Sequence, residues 1–160
     1  MTWPSNKESE MIEVGMILEK TWAVESGHLA SAFGSGLVDV LATPVLVGFC
    51  EETCRLMIDP HLPEGRMTVG TSVSLDHTAA TPLGMTVKII ARLVSVEGRR
   101  LTFDVVCEDE IEAIGHATHE RFVIDTARFE QGIAQKVHGV HGDSSNAESS
   151  RARSTPATRV

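Results

Sequence analysis

The sequence predicts an α+β fold in which an antiparallel sheet packs on one helix. Three observations carry that prediction. Residues 43–58 repeat apolar side chains at spacings of three and four. Later segments instead alternate apolar and polar residues with period two. The breaks between them are short, which favours antiparallel neighbours, because a parallel crossover needs roughly a dozen residues or more.

Taken in order, GMILEKTWAV (residues 15–24) is β-prone and predicts a first strand. Residues 25–36 hold glycines at 27, 34 and 36 among Ser and Ala and read as a loop or a weakly formed segment. Thr43-Pro44 then predicts a helix start, with Thr43 as N-cap and proline at the first helical position. The apolar face that follows is Leu46, Val47, Cys50, Cys54, Met57 and Ile58, and Asp59-Pro60 ends it. After Gly65 the row Met67, Val69, Thr71, Val73, Leu75, His77 alternates with Thr68, Gly70, Ser72, Ser74 and Asp76. A break at TPLG (81–84) precedes Met85, Val87, Ile89, Ala91 and Leu93. Glu97-Gly98-Arg99 predicts a hairpin turn, and Leu101, Phe103, Val105 and Cys107 alternate on the return strand. A last strand is expected over about 113–124. Asp125 can cap a short terminal helix through Lys136. The expected organisation is a flexible N-terminus over 1–11, one domain over 12–137 and a disordered tail over 138–160, the tail being rich in Ser, Gly, Ala and Arg.

Composition narrows the function. The chain has 160 residues, enough for one domain that needs neither a disulfide nor a metal to fold. Lys plus Arg is 14 and Asp plus Glu 22, a net charge of −8. That balance, with no basic run longer than Arg99-Arg100, excludes a basic nucleic-acid-binding face as the expected function. Aromatic residues are 4% and tyrosine is absent, so few rings exist for stacking bases or sugars. No secretory leader and no stretch of about 20 apolar residues is visible, so no membrane span is expected. The three cysteines form no C-x-x-C pair, and a reducing cytoplasm is the expected location.

Three polar residues stand out against the apolar pattern. Glu51 falls just beyond the Ile58 edge of the helical stripe, with Glu52 on the far side. A carboxylate at such a rim can lose part of its hydration and become a better base or nucleophile. The structural alternative is an exposed i, i+4 pair with Arg55, and spacing alone favours it. His77 ends the inward row Val73, Leu75, His77, opposite the only helix that could cover it, and either a structural or a catalytic role suits that place. Thr43 is explained by capping alone, although a hydroxyl at a helix start is also well placed to support developing negative charge. His116 and His119, three apart on a strand, point to opposite faces and do not make a zinc site.

Beyond these patterns, the segments VDVLATPVLVGFCEETC, VGTSVSLDHTAATPLGMTVKIIARLVSVEGRRLTF and IGHATHERFVID carry a likeness. Over about residues 36–136 the chain resembles the fluoroacetyl-coenzyme A thioesterase family of hot-dog-fold proteins. The resemblance implies a sheet wrapped round a central helix, a homodimer with acyl-CoA sites near the subunit interface, and neither metal nor organic cofactor. It places the family's catalytic threonine, glutamate and histidine on Thr43, Glu51 and His77. Glu51 would attack the thioester carbonyl or activate water to do so, Thr43 would position that carboxylate, and His77 would transfer protons. Gly70 and Arg121 match positions lining the acyl end of the pocket. Leu37 and Leu41 stand where the family's lid phenylalanines are expected, which implies a short-chain acyl-CoA rather than a selectively fluorinated one. The alternative is a non-catalytic acyl-CoA-binding module, against which the intact Thr43, Glu51 and His77 argue.

Overall fold

The structure, a computed structural model, describes residues 11–151, with side chains over residues 11–140. The chain divides into two units, Met1–Ile124 and Asp125–Val160. In the first unit the strands are β1 (Ile17–Ala23), β2 (Arg66–His77), β3 (Thr86–Glu97), β4 (Arg100–Asp109) and β5 (Ala113–Asp125). A single turn, α1 (Ala30–Phe33), and the long helix α2 (Thr43–Ile58) lie between β1 and β2. The strands make one sheet in the order β1-β3-β4-β5-β2. The β1–β3, β3–β4 and β4–β5 pairs are antiparallel. β1 and β2 are therefore the edges, and β2 reaches its place beside β5 although three strands follow it in the chain.

The period-two rows become the inner face of the central strands. Val87, Ile89, Ala91 and Leu93 of β3 and Leu101, Phe103, Val105 and Cys107 of β4 are all buried. Their cover is α2, which lies against β1, β2 and β3. Truncating one such Ile or Leu to Ala in a close-packed core costs about 2–5 kcal/mol. The hairpin falls where the turn signal placed it. Glu97 pairs with Arg100, so Gly98-Arg99 is a two-residue loop, and Gly98 at φ +62° supplies the positive dihedral that such loops require.

Four details differ from the pattern reading. Thr43 is the first residue of α2 rather than its cap. Ala42, extended at φ −70° and ψ 137°, takes the cap position, and no side chain caps the helix. The buried face of α2 also includes Phe49 and Thr53, with Val47 only half-buried. Thr53 is tolerated there because its hydroxyl donates to the Phe49 carbonyl at 2.7 Å. In β2 the inward row slips by one residue. Thr68 is buried and Met67 exposed, while Val73, Leu75 and His77 turn inward as expected. The cause is polar: Asp59 Oδ1 accepts from both the Thr68 backbone N–H, at 3.1 Å, and its hydroxyl, at 2.7 Å, drawing this residue inside.

The fourth difference lies in the second unit. A helix, α3 (Thr126–Arg151), continues well beyond Lys136 and through residues 138–151, where a disordered tail is expected from composition. Asp125 Oδ1 accepts the Arg128 backbone N–H at 3.0 Å, which starts the helix. Its glycines each cost only about 1 kcal/mol, and no proline occurs before Pro156 to stop it. The expected flexibility of residues 1–10 and of the tail beyond residue 151 lies outside the described residues.

Candidate active site

The polar residues singled out by the sequence gather along α2, in two groups. At its start, Thr43 Oγ1 lies 2.9 Å from His77 Nδ1, joining the first turn of the helix to the last residue of β2. A Thr hydroxyl normally spent on capping is free for this contact because the cap is Ala42. His77 Nε2 is buried and has no hydrogen-bond partner. Burial pushes the His77 imidazole below its ordinary value near 6.5, against a weaker upward pull from the Ala79 backbone, so the ring favours its neutral form. Thr43 and His77 line a hollow of about 260 Å³ together with Leu41 and Ala79. Leu41 is buried at its wall, whereas Leu37 is 98% exposed and does not line it.

Two turns further along α2, Glu51 enters a second hollow of about 530 Å³ with Gly48, Glu52, Arg55, Gly70 and Arg121. Glu52, expected on the far side of the helix, therefore shares this hollow. The carboxylate of Glu51 occupies the space a side chain at Gly70 would need, since a Cβ there would collide with Oε1. Arg121 is only 5% exposed and is held on several sides. Its Nε donates to Thr68 Oγ1 at 2.8 Å and its Nη2 to the Thr68 carbonyl at 2.9 Å. The Thr68 hydroxyl in turn donates to Asp59. Burial lowers the Arg121 pKa, while the charges of Asp59 and Glu51 raise it, so the guanidinium keeps its charge by facing carboxylates.

A further member of this second group is a histidine that the sequence offers only as half of a pair unable to bind zinc. His119 is fully buried beside Arg121, with Nδ1 2.8 Å from the Ser72 carbonyl and Nε2 3.3 Å from Arg121 Nη1. Burial lowers its pKa, partly opposed by the Ser72 hydrogen bond. The usable signal was the buried phase of β5, since Ala117, His119 and Arg121 alternate inward. His116 lies on the opposite face, 2.6 Å from Asp104 Oδ1. Among the described residues, no three or more His, Cys, Asp and Glu side chains are placed to hold a metal ion.

An antiparallel sheet wrapped on one long helix is the architecture of a hot-dog fold. Residues 24–127 match the family described as fluoroacetyl-CoA-specific thioesterase. The chain is 44% identical over 99 residues to the fluoroacetyl-CoA thioesterase of Streptantibioticus cattleyicolor, covering 62% of this chain and 71% of that protein. A solved structure of the fluoroacetyl-CoA thioesterase FlK superposes with a TM-score of 0.76 at 34% identity, over 79% of this chain and 98% of that one. A hot-dog-like protein from Thermanaerovibrio acidaminovorans shares the fold, with a TM-score of 0.72 at 21% identity over 77% and 91% of the two chains. The chain belongs to the fluoroacetyl-CoA-specific thioesterase family.

Proposed function

We propose that the protein is a homodimeric thioesterase that hydrolyses a short-chain acyl-CoA to the free acid and CoA, with Thr43, Glu51 and His77 as its reacting constellation. The observation that carries the reading is the half-buried Glu51 carboxylate, lodged against Gly70 and faced by the Arg121 charge at the edge of a solvent-reachable hollow. The acyl-CoA substrate is supported by the relatives, since solved forms of FlK hold fluoroacetate with CoA, and acetyl-CoA.

In this reading a Glu51 oxygen attacks the thioester carbonyl carbon, or activates water to do so. The C–S bond breaks, CoA departs as the thiolate and takes up a proton. A water deprotonated by His77 Nε2 then opens the acyl–carboxylate intermediate, releasing the acid and restoring Glu51. With Nδ1–H donating to Thr43 Oγ1, Nε2 carries the lone pair this step needs. Arg121 and the Gly70 backbone border the acyl end.

Distance supports the homodimer. Thr43 and Glu51 are eight residues apart on α2, about 12 Å of helix rise, and they line different hollows. One carbonyl cannot stand within roughly 3.5 Å of both groups in a single chain. A two-fold axis would set Glu51 of one copy beside the Thr43–His77 pair of the other. β2, a twelve-residue edge strand that carries both Gly70 and His77, offers unpaired backbone for that contact. Three free cysteines, with Cys50 and Cys107 Sγ atoms 3.5 Å apart and unbonded, support a reducing cytoplasm. No helix among the described residues is long and apolar enough to cross a membrane.

The test is thiol release from a panel of acyl-CoA esters by the purified full chain. Hydrolysis of short-chain esters and its loss in Glu51→Gln are expected. Binding without turnover by the wild type would instead establish an acyl-CoA-binding module.

A further inference from the structure

We infer that His119 is a positioning residue, whose neutral imidazole, held between the Ser72 carbonyl and the Arg121 guanidinium, fixes how Arg121 faces the Glu51 carboxylate. The inference deepens the reading of Glu51 given above and rests on it.

The hydrogen-bond partners fix the proton. A backbone carbonyl only accepts, so the nitrogen 2.8 Å from Ser72 O, Nδ1, carries the hydrogen. A guanidinium only donates, so Nε2, 3.3 Å from Arg121 Nη1, carries the lone pair. Only the neutral Nδ1–H tautomer satisfies both contacts. A doubly protonated ring would set N–H against N–H and a second cation beside a buried one. The ring is also closely neighboured. Phe103 stacks on it with centroids 6.0 Å apart, and a Cβ on Gly70 would lie 3.3 Å from its Cε1.

Arg121 has five N–H donors, and these contacts use three, two on Thr68 and one on His119. Two donors remain, and Arg121 lines the hollow it shares with Glu51. The Thr68 contacts hold one edge of the guanidinium, and His119 is the acceptor that holds its Nη1 arm. Removing that acceptor lets the arm pivot while leaving the Asp59–Thr68 support in place. The consequence is felt where charge develops on the reacting carbonyl, so turnover should suffer more than substrate binding.

The tautomer is tested first, on the wild-type protein, by nitrogen-15 NMR of labelled imidazoles at neutral pH. His77 and His119 are both expected in the Nδ1–H form, and the His119 signals are those lost in His119→Gln. An Nε2–H or doubly protonated His119 overturns the inference. The second arm is kinetic. His119→Phe, which keeps a ring but neither nitrogen, is expected to lower kcat about tenfold with KM within about twofold. His119→Gln, whose carbonyl can take the Arg121 N–H, should recover most of that loss. In an Arg121→Met background His119→Phe should cost nothing more. Wild-type kcat in His119→Phe, or an undiminished further loss on top of Arg121→Met, overturns the inference while Glu51→Gln stays inactive. Full activity in Glu51→Gln would sink the underlying reading instead.

Discussion

At its first turn α2 presents Thr43 to one partner, His77, whose Nε2 is left bare, whereas two turns on Glu51 faces an arginine held by three hydrogen bonds from two residues. The first group joins its two side chains by one hydrogen bond and leaves the His77 Nε2 unsatisfied. The second is a chain of contacts running from Asp59 through Thr68 and Arg121 to His119 and Ser72. The difference separates two tasks. A group that must pick up and release a proton needs a lone pair kept out of permanent bonds. A charge that must stay fixed while a carbonyl becomes an oxyanion needs its other directions occupied, so that no reorganisation is required at the moment of reaction.

The largest effect should come from breaking either group outright. Glu51→Gln and His77→Gln should each lower acyl-CoA hydrolysis by about a thousandfold or more, read as thiol release. Mixing the two inactive chains then sharpens the comparison. If each site joins Glu51 of one copy to His77 of the other, statistical mixing should return about a quarter of wild-type activity. No recovery would mean that both groups serve one site within a chain. Next in size, Gly70→Ala should lower kcat about tenfold or more, because the new Cβ displaces the Glu51 carboxylate, while the melting temperature changes little. The smallest effect is on stability. Burial lowers the pKa values of His77 and His119 below 6.5, so in acid the unfolded chain takes up these protons before the folded one does. The contribution is complete above about pH 6.5 and lost as the pH falls from there through the lowered folded values. Melting temperatures measured between about pH 7.5 and 5.5 should fall accordingly, and less steeply in His119→Phe.

Much of this was legible in the chain itself. The rows of β3 and β4 stand as the period-two pattern writes them, because both strands lie inside the sheet and bury one full face. The hairpin at Gly98 is equally local. At the edge strand the pattern loses its hold, since the inward turn of Thr68 is decided by Asp59, nine residues away, and by Arg121 across the sheet. His119 was only half legible for a similar reason: the strand sets His116 and His119 on opposite faces, but which of them faces inward depends on what packs against β5. Thr43 was legible as a residue at a helix start but not as a partner of His77, because that contact joins positions 34 residues apart.

Sequence alone determined the α+β class, the central strands, the extent of α2 and the identity of Thr43, Glu51 and His77 as polar residues out of keeping with an apolar pattern, since periodicity and turn chemistry act over a few residues. Tertiary structure alone decided what each of them faces. It freed the Thr43 hydroxyl for His77, set Glu51 against Gly70 and Arg121 rather than beside His77, and buried His119 next to a cation. Those outcomes depend on which strands neighbour which, and β2 finds its place beside β5 only after three further strands have been laid down.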